Sequence, residues 1–239
     1  MFFPGDGLQV VGHRGFPARF PDNTMAGLAL AFGVVHMVET DIRRTADGTL
    51  MLSHDPELQG RIVCETAWDG LVALDLGLGQ RPITLAEALV AFPDRAFNLE
   101  VKNWPGDPGF EPDGALAVEV AASSRPGDLL SSFHWPTMDV VREAHPHVAT
   151  GLLLEDPVSL ADAITHATER GHVAVIPEWP MLTAPGGADL VNVAHDAGIG
   201  VATWTVNDVE VALGLARMGV DAIITNDPAL MVRAVQEGS

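Results

Sequence analysis

Glu39 and Asp41 stand two residues apart in V-E-T-D-I, and Glu100 and Lys102 stand two apart in N-L-E-V-K. Both segments are otherwise apolar and β-rich. A strand places residues i and i+2 on one face, so each pair projects together. Three carboxylates and one ammonium then arrive from two strands. Acids that flank strands are ordinarily solvated, but these interrupt apolar runs. Burying like charges is costly unless a cation compensates. An all-oxygen donor set suits one hard divalent cation, Mg²⁺ or Ca²⁺, with water completing the shell. Lys102 is the only lysine, and the other twelve basic residues are arginines. A compact point charge beside Glu100 is not interchangeable with a planar fork.

The segment V-V-G-H-R-G (residues 10–15) supplies His13 and Arg14 at the end of a strand. Strict alternation aims only one of them inward. Gly15 permits a turn that brings both to the same place. Arg14 can grip phosphate oxygens with two parallel hydrogen bonds. His54, in L-S-H-D, ends a strand that returns along the Glu39–Asp41 strand. Two imidazoles on either side of a phosphate can share base and acid work near neutrality. The remaining histidines, 36, 134, 145, 147, 166, 172 and 195, lack such company and read as surface or helix residues, with His134 the exception because it follows a strand.

The elements that position these side chains alternate. Strand runs fall at 9–13, 36–42, 97–102, 129–133, 149–155, 173–177, 200–206 and 221–226. Helical runs fall at 24–33, 84–92, 113–123, 137–144, 158–169, 187–197, 208–217 and 228–236. Thr24, Thr84, Asp208 and Asp227 carry N-cap chemistry, and Gly33, Gly171, Gly198 and Gly219 suit helix C-termini. Eight strand–helix units in 239 residues predict an α/β fold, a (β/α)8 barrel, as one domain over residues 1–239. A doubly wound open sheet would need no eighth unit. An extra strand over 49–55 hairpins with the second strand, and 56–83 reads as a loop excursion. Barrel chemistry collects at the C-terminal ends of strands, where these residues lie.

Composition bounds the partners. Thirteen basic and thirty-two acidic residues give a net charge of −19, a field that repels nucleic acid and anionic membranes. A phosphate substrate therefore needs a local positive pocket. One cysteine, Cys64, excludes an internal disulfide and points to a cytoplasmic setting. The opening M-F-F-P-G-D-G-L-Q has no basic region followed by an apolar one. No stable membrane association is expected, and the oligomeric state is open.

Taken in order, H-R-G, P-D-N-T, E-T-D-I-R-R-T-A-D-G, H-D-P-E-L, N-L-E-V-K, S-S-F, T-W-T-V-N and G-V-D-A-I-I-T-N-D-P resemble the glycerophosphodiester phosphodiesterase family over nearly the whole chain. The resemblance implies a barrel enzyme that hydrolyses a small-molecule glycerophosphodiester with one divalent metal. Glu39, Asp41 and Glu100 match its metal ligands, His13 and His54 its acid–base pair, and Arg14 and Lys102 its phosphate contacts. Trp204 matches an aromatic wall beside the alcohol, or is a core indole. Asn23 matches a scaffold residue. Asp22 replaces the usual Glu, and the region 59–83 is only weakly similar. Asn226 stands where Asp is common and is expected not to touch the chemistry. Either water or the glycerol 2-hydroxyl attacks phosphorus. Three alternatives are a phospholipase-D-like hydrolase of lysophospholipid or sphingolipid, a catalytically silent phosphate-binding barrel, and a metal-dependent sugar isomerase. The first would favour an apolar groove or membrane-docking face, and the sequence displays neither basic patch nor exposed aromatic cluster.

Overall fold

Eight short β-branched or Leu-rich runs can each bury both faces, and a strand buried on both faces belongs in a parallel sheet covered by helices. The computed structural model describes residue 3 and residues 7–238. Its barrel strands are β1 (Gln9–His13), β2 (Met37–Arg44), β3 (Ala96–Val101), β4 (Leu129–Ser132), β5 (Ala149–Leu154), β6 (Ala174–Pro177), β7 (Gly200–Thr203) and β8 (Ala222–Thr225). Neighbours pair in parallel around the ring, and β1 closes it by pairing with both β2 and β8. The chain is therefore a (β/α)8 barrel. Each predicted strand is present. β2 runs two residues further than expected, and β7 ends at Thr203, although Trp204 still bridges Glu178 in the same parallel register.

The outer helices are α1 (Met25–Phe32), α2 (Leu85–Ala91), α3 (Ala115–Ser123), α4 (Trp135–Ala144), α5 (Leu160–Arg170), α6 (Gly187–Asp196), α7 (Val209–Arg217) and α8 (Pro228–Gly238). The caps explain where they start. Thr24 accepts from the N–H of Gly27, Thr84 and Glu87 form a reciprocal capping box, and Asp208 accepts from Val211. Asp227 Oδ1 accepts from the N–H of Leu230 at 2.9 Å. Gly171 ends α5 with φ 79°, whereas Gly33 ends α1 in the right-handed region at φ −68°, so its place does not depend on glycine's freedom.

Alternation sorts each strand between two apolar layers. Val11, Leu129, Leu153, Ile176, Ala202 and Ile224 fill the barrel interior. Val38, Ile42, Phe97, Leu99 and Val101 face the helices, where Phe32 meets Phe97 edge-on with centroids 5.1 Å apart. The residues between them on β2 and β3, Glu39, Asp41 and Glu100, must then face the interior.

The excursion after β2 is more ordered than a loop. A strand Leu50–Leu52 pairs antiparallel with β2, as expected, though it is shorter than 49–55. A two-residue hairpin (Glu57–Leu58 with Arg61–Ile62), a 3-10 turn (Val63–Glu65) and one helical turn (Trp68–Leu71) follow. Met51, Val63 and Leu71 bury one another beneath it. A further short helix, Trp179–Thr183, follows β6. Among the described residues no helix is long and apolar enough to cross a membrane. The reading of residues 1–9 as neither leader nor anchor falls in part on positions 1, 2 and 4–6, which lie outside the described residues.

Candidate active site

Register brings the chemistry together. His13 pairs laterally with Glu39 across β1 and β2, and Asp41 pairs with Glu100 across β2 and β3. One ligand oxygen from each of Glu39, Asp41 and Glu100 lies within 4.8 Å of the others. All three residues are buried. Glu39 Oε1 has no hydrogen-bond partner, which is costly for a buried carboxylate oxygen and fits a divalent cation held by the cluster. Burial, then Asp41 and Glu100, push the Glu39 carboxyl well above the ordinary range. Burial also raises Glu100. Asp41 goes the other way: despite its burial, Lys102 and Arg14 bring it down to about 2.

Lys102 extends the inward face of β3. Its ammonium pairs with Glu100 and with Asp41 Oδ1, the latter at 2.9 Å. Burial opposes its charge, but the two carboxylates prevail and raise its pKa. The placement beside Glu100 is as the spacing predicts.

Arg14 reaches the site by an unexpected route. It takes the left-handed conformation itself, at φ 51°, and Gly15 follows at φ 93°. A Cβ on Gly15 would come within 2.8 Å of the Gly27 backbone, so glycine is needed there for close approach to α1 as well as for the turn. The Arg14 guanidinium pairs with Asp22 at 3.0 Å and Asp41 at 3.3 Å, and its backbone N–H donates to Glu39 Oε2 at 2.9 Å.

His13 Nδ1 donates to Asn226 Oδ1 at 2.6 Å, leaving Nε2 bare and 3.9 Å from Glu39 Oε2. Burial, and then Arg14, lower its pKa. This corrects the expectation for Asn226, which sits at the mouth of β8 and orients His13 directly. His54 follows Leu50–Leu52 and lines the same cavity of about 260 Å³ as His13, Arg14, Glu39, Glu100 and Lys102. Its Nδ1 lies 2.8 Å from Asp55 Oδ1. Its backbone carbonyl accepts from Arg43 Nε at 2.9 Å, while Arg43 NH2 donates to Asp107 at 3.0 Å. Arg43 is two residues beyond Asp41, so the alternation that finds the acids also finds it.

Asn23, at φ 58° and 3% exposed, does more than order a turn. It donates to Asp41 Oδ2 at 2.9 Å and accepts from Thr40 Oγ1 at 2.5 Å. Trp204 packs on the interior cluster and also lines the cavity, with Nε1 donating to the Ile176 carbonyl at 3.0 Å.

Two further expectations need correction. His172 is a buried residue, not a surface one: its ring accepts from or donates to Thr150 at 2.8 Å and meets Asp139 at 3.1 Å, beside His166. A partly exposed aromatic cluster also exists. Trp104, 51% exposed, lines an apolar recess with Phe133, His134, Trp135, Pro157 and Val158. Its members come from three separate segments, after β3, β4 and β5, so no run in the sequence displays it.

Residues 13–230 match the Glycerophosphoryl diester phosphodiesterase family. A glycerophosphodiester phosphodiesterase of Caldanaerobacter subterraneus is 28% identical over 251 residues, covering 96% of this chain and 98% of its own. Among solved structures, an Oleispira antarctica phosphodiesterase in complex with the product sn-glycerol-3-phosphate has a TM-score of 0.83 at 25% identity, over 96% of this chain and 97% of that one. A glycerophosphodiester phosphodiesterase from Thermotoga maritima shares the fold, with a TM-score of 0.80 at 23% identity over 96% and 99% of the two chains. The matched stretch starts on the histidine that closes β1 and ends inside the last helix, so it takes in the whole mouth of the barrel: the chain belongs to the glycerophosphoryl diester phosphodiesterase family, a family of phosphoric diester hydrolases.

Proposed function

We propose that this chain hydrolyses glycerophosphodiesters to glycerol phosphate and an alcohol, using one divalent cation, Mg²⁺ or Ca²⁺, and His13 and His54 as an acid–base pair. The observation that carries the proposal is the single cavity on which both histidines, Arg14, Lys102 and two of the three clustered carboxylates open. Glu39, Asp41 and Glu100 hold the cation, which supplies Lewis-acid polarisation of a phosphoryl oxygen. Arg14 and Lys102 seat the phosphodiester against the acidic field of the chain and stabilise charge that develops on its oxygens. One imidazole takes the proton of the attacking oxygen as the new P–O bond forms. The other returns a proton to the alkoxide as the old P–O bond breaks. The bare Nε2 of His13, held by Asn226, is poised to accept, and the low pKa of His13 keeps it unprotonated at neutral pH.

Turnover of glycerophosphocholine, glycerophosphoethanolamine, glycerophosphoglycerol and bis-p-nitrophenyl phosphate, each with Mg²⁺, Ca²⁺ or chelator, tests this reading. Release of glycerol phosphate that chelator abolishes, and that His13→Ala or His54→Ala reduces by roughly 10²–10⁴-fold, is expected. Full turnover after exhaustive chelation, or in either histidine variant, overturns the assignment.

A further inference from the structure

Three side chains in the outer layer converge on one point, away from the mouth of the barrel. Asp139 lies on α4, His166 on α5, and His172 in the link from α5 to β6. Gly171, at φ 79°, turns the chain so that His172 returns alongside His166. The two imidazoles stack with centroids 5.7 Å apart and planes 8° from parallel. Both Nε2 atoms face the same carboxylate oxygen: Asp139 Oδ1 is 3.0 Å from His166 and 3.1 Å from His172. The three atoms lie within 4.8 Å of one another. On the far side of the ring, His172 Nδ1 meets the buried hydroxyl of Thr150, on β5, at 2.8 Å. Asp139 pairs with no arginine or lysine among the described residues. Arg142, one turn further along α4, donates instead to the carbonyls of Pro146 and Val148.

We propose that Asp139, His166 and His172 form a second cation site, a structural one for Zn²⁺, that ties α4 to the end of α5. Two imidazoles and a carboxylate are the donors a borderline divalent ion prefers, whereas the cluster of Glu39, Asp41 and Glu100 offers oxygen alone. Ligands ~2.0–2.2 Å from one ion stand roughly 3.0–3.4 Å from each other in a tetrahedral or octahedral shell, and both imidazole nitrogens keep that spacing from Asp139. Thr150 supports the ligand behind it. When His172 Nδ1–H donates to the hydroxyl, Nε2 is left bare for the ion. The His172 side chain is fully buried, but Asp139 and His166 are 17% and 28% exposed, so water can complete the shell from their side. The ion also supplies the countercharge that Asp139 lacks. The competing arrangement is a hydrogen-bonded cluster in which both Nε2–H groups donate to Asp139 and Thr150 donates to Nδ1. Thr150 is near the start of β5 and His172 precedes β6, so the site lies toward the end of the barrel opposite the chemistry. The proposal stands independently of the hydrolase reading.

The test titrates Zn²⁺ into chelator-stripped protein held in excess Mg²⁺, by calorimetry and by scanning fluorimetry. The parent should take up Zn²⁺ here, and Zn²⁺ at 100 times its Kd should raise Tm by roughly 5–11 °C. Thr150→Val, which removes the outer-shell partner, should weaken binding by about 10–100-fold, and Asp139→Asn or His166→Gln by at least about 100-fold. Asparagine keeps an acceptor for both imidazoles and glutamine keeps a donor to Asp139, so these variants separate loss of the ion from loss of packing. Should Asp139→Asn fail to fold, His166→Gln, at the most exposed of the three ligands, decides alone. No Zn²⁺ uptake by the parent overturns the site and leaves the hydrogen-bonded cluster. Uptake and a Tm rise that persist undiminished in His166→Gln also overturn it, and place the ion elsewhere, as on the neighbouring His145 and His147.

Discussion

Glu39→Gln separates what the carboxylate cluster contributes to stability from what it contributes to cation binding. Glu39 is 3% exposed, one of its oxygens accepts from the Arg14 N–H at 2.9 Å, and the other has no partner. Its pKa is raised from the ordinary 4.5, first by burial and then by Asp41 and Glu100. A carboxyl raised on folding stabilises fully below its unfolded pKa, and that stability is lost as pH rises through the folded value. At neutral pH without a cation, the folded state therefore bears the cost of this charge. Glutamine keeps the shape and a carbonyl acceptor for Arg14. Removing an uncompensated buried charge should return about 1–3 kcal/mol. At ~2–4 °C per kcal/mol for a chain of this size, the Tm in chelator should rise by roughly 2–12 °C. A cation at 100 times its Kd should stabilise the parent by ~2.7 kcal/mol, or roughly 5–11 °C, and the variant far less. Scanning fluorimetry in chelator and in saturating Mg²⁺ or Ca²⁺ measures both. A variant no more stable than the parent in chelator, or one that gains the same cation-induced rise, refutes the reasoning.

Asn226→Leu, which removes the acceptor for His13 Nδ1, should lower kcat by roughly ten- to hundred-fold with little change in KM; Asn226→Asp should instead raise the His13 pKa and move one limb of the pH–rate profile to higher pH. Lys102→Arg keeps the charge but cannot place a fork between Glu100 and Asp41, so kcat/KM should fall at least about ten-fold while Tm barely moves; parent-like activity would make Lys102 incidental. Burial holds the His172 pKa below 6.5, against the opposing pull of Asp139 and with help from His166 and Arg142. Its stabilisation is complete above pH 6.5 and is lost as pH falls through the lower folded value. Urea midpoints between neutral pH and pH 5 should therefore decline less steeply in His172→Gln than in the parent, and parallel curves would count against it.

The strands were legible because each is a compact run of Val, Ile, Leu and Thr between turn residues. Their ends were less so: β7 is cut back to Thr203 with only an isolated bridge from Trp204 to Glu178 beyond it, and β2 runs on through Arg43 and Arg44 because Met51 and Leu50 pair with them. The excursion carries only two-to-four-residue elements, too short for any periodicity to register. In the site, the i, i+2 rule found Glu39, Asp41, Glu100 and Lys102, since register between neighbouring strands is local. It could not find the His13–Asn226 hydrogen bond, which depends on closure between the first strand and the last. His172 was misread for a similar reason: its partners, Thr150 and Asp139, belong to elements 22 and 33 residues away.

The closing seam between β1 and β8 also bears on how the chain is made. The carboxylate cluster, both histidines, Arg14 and Lys102 all lie within residues 13–102, so a ribosome delivers them well before β8. The residue that orients His13 comes 213 positions after it. Until β8 emerges, one edge of β1 is unpaired and open to stray strand pairing. A contact of such sequence separation is slow to form. The nascent chain thus carries the proposed catalytic groups long before the His13–Asn226 hydrogen bond can form, and that contact arrives only when the last strand seals the ring.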